Sequence, residues 1–322
     1  MGSKPSAVLL DFATLGPNVD TRSLDELVAA RYFDYSACEE LGERLTGAEI
    51  AILNKVKLDR DAIASATDLK LIVLTATGTD NVDCAAAKER GIGVANVRDY
   101  CSAAVAQHVF ALILGLTHHV GAYDALARSG AWGRSRSFAL FDYPIRELAG
   151  RTLGVVGFGS LGKAVAHLGR CFGMEVMVSA RPGGDDEEPG GARVPFATVL
   201  READVLSLHC PLTKETQHMI GAGELKQMKR DGLLINTARG GLIDGKALAA
   251  ALRDGEIAGA GIDVLPVEPP PPDEPLLERG IPNLIVTPHI AWSAREARQR
   301  ALEQVVENIA SFMAGGRLRR VV

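Results

Sequence analysis

Three stretches in the second half of the sequence carry side chains suited to acid–base chemistry on a small organic acid. Arg239 follows the apolar run 232–236, Glu268 follows the run 258–263, and His289 follows the run 284–287. An arginine binds a carboxylate through two parallel hydrogen bonds. A histidine donates a proton near neutral pH, and a neighbouring carboxylate favours its protonated form. With a hydride source, such groups would reduce a 2-keto acid.

A hydride source is indicated by the sequence GFGSLG at residues 157–162. An apolar run (153–156) precedes it, an amphipathic helix pattern follows it, and a second apolar run (176–178) comes next. A strand, glycine turn, helix and strand in this order are typical of a dinucleotide site, with a purely structural turn as the alternative. The residues expected to bind the dinucleotide here are Gly157, Gly159, Ser160, Leu161 and Gly162.

The end of the second apolar run bears on which dinucleotide is used. An acidic residue about 20 positions after the glycines binds the ribose hydroxyls of NAD, but Ala180 occupies that place, between Ser179 and Arg181. A carboxylate about 4 Å from a 2′-phosphate would cost on the order of 4 kcal/mol. Its absence and the charge of Arg181 favour NADP(H), with NAD(H) possible.

The elements that must position these residues alternate between strand and helix. Because ligands bind beyond the carboxyl ends of strands in open parallel sheets, the three stretches should lie along one sheet edge. Strands are predicted at 7–10, 49–53, 69–74, 92–94, 152–156, 175–179, 204–208, 232–236, 258–263 and 284–287. Helices are predicted at 23–30, 59–66, 83–90 and 102–117 and after residue 293. We expect residues 122–149 to form an irregular arm that contacts a second copy in a homodimer.

Composition excludes several classes of protein. The 322 residues are 47% hydrophobic and 23% charged with a net charge of −5, which indicates a globular protein without affinity for nucleic acid or membranes. The most apolar stretch, 103–116, is shorter than the roughly 20 residues of a membrane span. Five cysteines without a C-x-x-C pair predict reduced thiols and a cytoplasmic location. The six histidines other than His289 lack metal-ligand spacing, so we expect no metal and interpret them, His108 included, as structural or exposed.

The sequence resembles the D-isomer-specific 2-hydroxyacid dehydrogenase family, most closely its glycerate dehydrogenase (hydroxypyruvate reductase) branch. The resemblance runs essentially end to end and is strongest in GFGSLG, HCPLTKET, LLINTARGGLID, AGAGIDVLPVEPP and NLIVTPHIAW. It implies that Arg239 orients the substrate, that His289 is the acid/base, and that Glu268 pairs with His289. Hydroxypyruvate or glyoxylate is the expected substrate.

The resemblance also implies a Rossmann-type, doubly wound nucleotide domain inserted into a smaller flavodoxin-like α/β domain. Residues 1–101 and 293–322 would bind substrate, residues 102–292 would bind the nucleotide, and a cleft with hinges near Cys101 and Trp292 would hold the site. Further expected cofactor contacts are Ser179, Arg181, Cys210, Pro211, Thr216, Thr237, Ala238, Asp263 and Ala291. Expected substrate contacts are Asn54, Lys55, Thr77, Gly78, Thr79, Arg239, His289 and Trp292, with Trp132 or Phe141 of a neighbouring subunit as further candidates.

Other interpretations remain open at this point. Arg239, Glu268 and His289 taken singly could be a surface ion pair, a solvated loop charge and a structural histidine. A dinucleotide-binding, corepressor-like interaction protein would retain the same fold, although no long extension for partner motifs is visible. Formate oxidation is disfavoured, because that branch lacks the glutamate found here.

Overall fold

The computed structural model describes residues 4–180 and 193–322. The chain divides into two compact units, each built around a parallel sheet. The first unit comprises Met1–Cys101 and Ser293–Val322, and the second comprises Ser102–Trp292.

The first unit contains a sheet with the strand order β2-β1-β3-β4-β5, in which every pair is parallel. Its strands are β1 (Ser6–Leu9), β2 (Ala29–Tyr32), β3 (Ile50–Leu53), β4 (Leu71–Leu74) and β5 (Gly93–Ala95). Its helices are α1 (Arg22–Leu27), α2 (Leu41–Leu45), α3 (Arg60–Ser65), α4 (Cys84–Glu89) and α12 (Arg295–Met313). The central strands are fully buried apolar runs, as expected when helices cover both faces of a parallel sheet. Asp59 and Asp83 cap α3 and α4, because each carboxylate accepts a backbone N–H of the first turn.

The second unit contains a parallel sheet with the order β11-β10-β9-β8-β6-β7. Its strands are β6 (Thr152–Val156), β7 (Glu175–Val178), β8 (Val205–Leu208), β9 (Leu233–Asn236), β10 (Gly259–Ile262) and β11 (Leu284–Val286). Its helices are α5 (Ser102–His118), α6 (Val120–Arg128), α7 (Ala131–Arg134), α8 (Ser160–Cys171), α9 (Phe196–Glu202), α10 (Ala222–Leu225) and α11 (Gly245–Arg253).

The glycines of β10 explain how closely α5 packs on this sheet. A Cβ atom on Gly261 would lie 2.9 Å from Leu112 Cβ, and one on Gly259 would lie 3.2 Å from Leu116 Cδ2. The helix therefore lies directly on the strand, and a side chain on the same face of α5 can reach the neighbouring strand ends.

The predicted α/β class with a doubly wound sheet is confirmed. The order of the first sheet is the flavodoxin-like one. Two local predictions are wrong. Residues 29 and 30, predicted as the end of the helix 23–30, belong to the edge strand β2. The arm 122–149, predicted to be irregular, contains most of α6 and all of α7. Both segments are poor in buried apolar side chains, so their periodicity is weak.

Among the described residues, no single helix has both the length and the apolar character needed to cross a membrane. The pair α5 and α6 meets both criteria jointly, across a bend of 52°. Much of α5 is core, with Val109 and Ile113 fully buried.

Candidate active site

The candidate site begins where the strand order of the second sheet reverses, between β6 and β8. Ligands of doubly wound folds bind at this switch point, beyond the carboxyl ends of the strands. Gly157 follows β6 and packs against the peptide that joins His209 to Cys210 after β8. A Cβ at position 157 would lie 2.6 Å from the Cys210 nitrogen. The glycine turn and the His-Cys-Pro segment thus meet at the crevice.

Each glycine of the GFGSLG turn has a distinct physical role. Gly157 has φ +91°, a backbone conformation that disfavours any side chain. A Cβ on Gly162 would lie 2.0 Å from the Gly157 oxygen, so only glycine lets α8 approach the turn. Gly159, by contrast, precedes α8 and has nothing within 4 Å of its Cβ position. Open space at the N-terminus of α8 fits the pyrophosphate of a dinucleotide. Ser160 and Leu161 form the first turn of that helix.

The two residues that follow β7 are buried, and each makes a hydrogen bond to a backbone carbonyl oxygen. The Ser179 hydroxyl donates to the Ala180 carbonyl oxygen at 2.7 Å, and both residues are buried. The Ala180 N–H donates to the Val194 carbonyl oxygen at 2.8 Å. Arg181 lies outside the described residues.

The segment after β8 is held in shape by hydrogen bonds between its own residues. Thr216 Oγ1 donates to the Pro211 carbonyl oxygen at 2.8 Å and accepts the Thr213 N–H at 2.8 Å. Burial raises the pKa of the Cys210 thiol, so it is protonated at neutral pH and is a poor nucleophile. Burial lowers the pKa of His209 to about 4, so this ring is neutral. Within the described residues, its buried Nδ1 has no hydrogen-bond partner.

The turn after β9 carries Arg239 and is shaped by Asn236, which is fully buried. The Asn236 side chain donates to the Arg239 carbonyl oxygen at 2.9 Å and accepts the Ala238 N–H at 3.0 Å. The Arg239 guanidinium itself donates to the Ala238 carbonyl oxygen at 2.8 Å, and the residue is exposed. Thr237 presents a buried hydroxyl that lacks a partner among the described residues.

Gly240 joins this turn to the loop that carries Glu268. A Cβ at position 240 would lie 2.0 Å from the Leu265 carbonyl carbon and 2.3 Å from the Pro266 nitrogen. The two backbones are therefore in direct contact, and the loops after β9 and β10 hold one another in place.

Glu268 and His289 form the central pair of the site. His289 Nδ1 lies 2.5 Å from Glu268 Oε2, and Glu268 Oε1 accepts the Leu265 N–H at 2.9 Å. The carboxylate is thus oriented by its own loop and in turn orients the imidazole. Hydrogen bonding through Nδ1 leaves Nε2 as the ring nitrogen that Glu268 does not engage. The side chains of His289 and Glu268 are 27% and 33% exposed, so the pair is within reach of solvent and ligands.

Asp263 directly follows β10 and is 1% exposed. Its carboxylate oxygens accept hydrogen bonds from the turn 287–291. Its carboxylate accepts the Thr287 hydroxyl at 2.5 Å and the backbone N–H groups of Ile290 and Ala291 at 2.9 and 2.8 Å. Burial alone would raise the pKa of Asp263. The nearby His108 ring and the hydrogen bonds from Thr287 and these N–H groups outweigh that effect and lower the pKa. Ala291 is buried beside it, and Trp292 is half-buried.

In the first unit, the predicted residues after β3 surround a carboxylate that the sequence did not single out. Asp11 accepts the backbone N–H groups of Asn54, Lys55 and Val56 at 2.8, 2.6 and 3.0 Å. The Asn54 side chain donates to Thr14 Oγ1 at 3.1 Å. Asp11 is only 6% exposed and fixes the shape of this loop.

The loop after β4 is held by the chain that follows β5. Thr77 Oγ1 donates to the Val97 carbonyl oxygen at 2.9 Å, and the Asn96 side chain donates to the Thr77 carbonyl oxygen at 2.7 Å. Gly78 and Thr79 continue this loop and are half-buried. Their expected contact with a substrate carboxylate stays a prediction.

Sequence reasoning missed Asp11, Asn236 and His108. The first two occupy strand ends beside predicted residues, where a buried polar residue is itself a signal. His108 stands out as a polar residue in an otherwise apolar helix, yet its partner is remote in sequence. Within the described ranges, no group of three or more His, Cys, Asp or Glu side chains could hold a metal ion.

Comparison with known proteins places this geometry in a family. Residues 110–291 match the family model described as "D-isomer specific 2-hydroxyacid dehydrogenase, NAD binding domain". The chain is 46% identical to the glycerate dehydrogenase of Methylorubrum extorquens, over 92% of this chain and 95% of that protein. It is 34% identical to the hydroxypyruvate reductase of Blautia hydrogenotrophica, over 96% of this chain and 97% of that protein. The chain also resembles the solved structure of an acyclic imino acid reductase (Bsp5) in complex with NADPH and D-Arg, with a TM-score of 0.84. The two sequences are 27% identical, and the superposition covers 98% of this chain and 100% of that chain.

The glycine turn fits a dinucleotide, and the similarity extends over nearly the whole chain. The protein therefore belongs to the D-isomer specific 2-hydroxyacid dehydrogenase family and is an oxidoreductase that uses a nicotinamide dinucleotide to interconvert 2-keto and 2-hydroxy acids.

Proposed function

We propose that the protein reduces hydroxypyruvate or glyoxylate to D-glycerate or glycolate, with His289 as acid/base, Glu268 as its partner and Arg239 as the substrate clamp. The observation that carries this proposal is the 2.5 Å contact between His289 Nδ1 and Glu268 Oε2. This contact gives the imidazole one fixed orientation beside the dinucleotide fold. The names of the two curated relatives support the choice of substrate.

In this mechanism the bound nicotinamide supplies the hydride. His289 Nε2 donates a proton to the substrate oxygen as negative charge develops on it, and Glu268 stabilises the imidazolium while it is protonated. The Arg239 guanidinium binds the carboxylate of the acid through paired hydrogen bonds. The N–H groups of Thr77, Gly78 and Thr79 and the residues Asn54, Lys55 and Trp292 complete the proposed substrate contacts.

A panel of 2-keto acids tests the proposed function. We expect turnover of hydroxypyruvate and glyoxylate, measured as loss of reduced-nicotinamide absorbance, and a decrease in kcat of about 10²- to 10⁴-fold in His289→Asn. Far-UV circular dichroism and dinucleotide binding should match the wild type. Unchanged kcat in this variant would refute the role of His289. Dinucleotide binding without turnover of any keto acid would favour the corepressor-like alternative.

NADP(H) is the proposed dinucleotide, with NAD(H) as a second substrate. Ala180 leaves the expected acidic position without charge, and Arg181 is available in sequence to pair with a 2′-phosphate. The cofactor contacts proposed with it are those predicted from Ser179, Cys210, Pro211, Thr216, Thr237, Ala238, Asp263 and Ala291 and from the glycine turn.

Ala180→Asp should lower kcat/KM for NADPH relative to NADH by tenfold or more, because the new carboxylate repels the 2′-phosphate. Ala180→Asn is the matched control, since it adds the same bulk without charge at a buried position. A wild type that prefers NADH tenfold would rule out the NADP(H) assignment.

A cytoplasmic homodimer completes the proposal. The arm after α7 supports an interface, because Phe138 and Phe141 are 90% and 82% exposed. Light scattering coupled to size exclusion measures the mass, and Phe138→Ser combined with Phe141→Ser should yield a monomer. A wild-type mass of about 34 kDa, that of a single chain, would contradict the dimer.

A further inference from the structure

We propose that His108, Thr287 and Asp263 form a hydrogen-bonded relay that positions His289 for proton transfer. The inference deepens the proposed function and rests on the role of His289 given there. It assigns a functional role to His108, which the sequence alone presents as a structural or exposed histidine. His108 and Thr287 are positioning residues, since they act on the imidazole through Asp263 and the backbone.

The first step concerns the conformation of His289. Its φ is +54°, in the left-handed region that residues with a side chain rarely adopt. Such a conformation persists only where its surroundings hold it in place. The turn around His289 must therefore be constrained on both sides.

Asp263 supplies that constraint. Its backbone oxygen accepts the His289 N–H at 2.8 Å, and its carboxylate accepts the N–H groups of Ile290 and Ala291. Three successive N–H groups are thus bound by one residue. The orientation of the imidazole consequently depends on where the Asp263 carboxylate points.

Thr287 and His108 set the direction of that carboxylate. Thr287 Oγ1 lies 2.5 Å from Asp263 Oδ1 and 3.0 Å from His108 Nε2, and His108 Nε2 lies 3.5 Å from the same Oδ1. The aspartate can only accept, so the threonine hydroxyl donates its one proton to Asp263. Thr287 Oγ1 must then accept from His108 Nε2–H, which fixes the protonated nitrogen of that ring.

The packing of α5 explains why a helix residue can take part. His108 precedes Leu112 by one helical turn, and Leu112 lies against Gly261 of β10. The missing side chain at Gly261 lets α5 approach closely enough for His108 to reach the end of β11. His108 is only 18% exposed, so its hydrogen bond is largely shielded from water.

The relay is tested with paired variants that keep or remove one hydrogen bond. Thr287→Val and His108→Leu remove a link, and each should lower kcat about tenfold or more, because small displacements of a reacting group are costly. Thr287→Ser and His108→Gln retain a hydroxyl and an N–H donor and should stay within about threefold of the wild type. His118→Leu, at the end of the same helix, is the control for loss of a histidine from α5.

Two readouts separate positioning from a general structural role. The melting temperature should change little while kcat falls. In a shared relay, the double variant His108→Leu/Thr287→Val should lose no more activity than the worse single variant.

Wild-type kcat, within twofold, in both Thr287→Val and His108→Leu would overturn the relay while leaving the proposed function intact. Should Thr287→Val not fold, His108→Leu and His108→Gln decide the matter alone. An active His289→Asn enzyme, or a wild type that reduces no keto acid, would instead overturn the proposed function and the relay with it.

Discussion

The pH dependence of stability should carry a measurable contribution from His209. This ring bonds through Nε2 to the Ser207 hydroxyl at 2.8 Å, and its buried Nδ1 has no partner among the described residues. Burial lowers the pKa to about 4 from its ordinary value of 6.5, because the charged ring would lose its hydration. In the charged ring Nδ1 carries a proton, and this proton would have no acceptor among the described residues.

The sign of the effect follows from proton binding. Below pH 6.5 the unfolded chain protonates this histidine, whereas the folded chain does not until about pH 4. The free energy of unfolding therefore falls as the pH is lowered through this window. The pKa differs by about 2.5 between the unfolded and folded chain, so this histidine changes the free energy of unfolding by at most about 3 kcal/mol. About 2 kcal/mol of that stability is lost between pH 7.5 and pH 5.

Urea unfolding monitored by tryptophan fluorescence is the appropriate assay, because both tryptophans, Trp132 and Trp292, belong to the second unit, as His209 does. His209→Gln keeps a donor near the Nε2 position but cannot be protonated. The wild type should lose about 2 kcal/mol more than this variant between pH 7.5 and pH 5.

His167→Gln is the matched control, since His167 is exposed on α8. It should lose stability over this pH range as the wild type does. Equal losses in the wild type and His209→Gln, within about 0.5 kcal/mol, would show that the reasoning about the unpartnered nitrogen is wrong.

Three further predictions concern the loops of the site. Gly240→Ala should lower kcat/KM by about tenfold or more, because its Cβ would meet backbone at 2.0 Å; Gly241→Ala should be milder, since it meets only the end of the Leu212 side chain. Steady-state kinetics of both variants checks this, and equal effects would count against the loop contact. Gly159→Ala should raise the Kd for the dinucleotide with little change in melting temperature, whereas Gly162→Ala should lower the melting temperature, because its Cβ would overlap a carbonyl oxygen. Glu268→Gln should lower kcat about 10- to 100-fold with nearly unchanged dinucleotide affinity, and a kcat equal to that of the wild type would contradict the proposed role of Glu268.

The sequence predicts most of this architecture because its strands are unbroken apolar runs that end in turn residues. The run before Gly157 is the clearest example, since β6 spans Thr152–Val156 as expected. The edge strand β2 was missed because Ala29–Tyr32 is largely exposed and follows a helical pattern without a break. Its stability comes from pairing with β1, which is a tertiary contact.

The structure brings together the predicted pair Glu268 and His289, whereas the catalytic and binding roles of the site residues stay predictions. The contact between Glu268 and His289 could be expected, because the family resemblance implies the pairing and both residues follow parallel strands of one sheet. The role of Asp263 in supporting the turn after β11 and the link from His108 to Thr287 could not, since the latter residues are 179 positions apart. A contact of this kind depends on how closely α5 approaches β10, which no local pattern encodes.

Asp11 behaves as an intramolecular ligand that cannot dissociate. A carboxylate bound by three successive N–H groups is the arrangement by which many loops capture a free anion. Here the anion is covalently tethered, so its binding to the loop is an intramolecular event. A dissolved phosphate or carboxylate therefore competes at a disadvantage for the same N–H groups. The substrate contacts proposed for Asn54 and Lys55 would therefore use their side chains, and the entropy of ordering the loop is lost during folding.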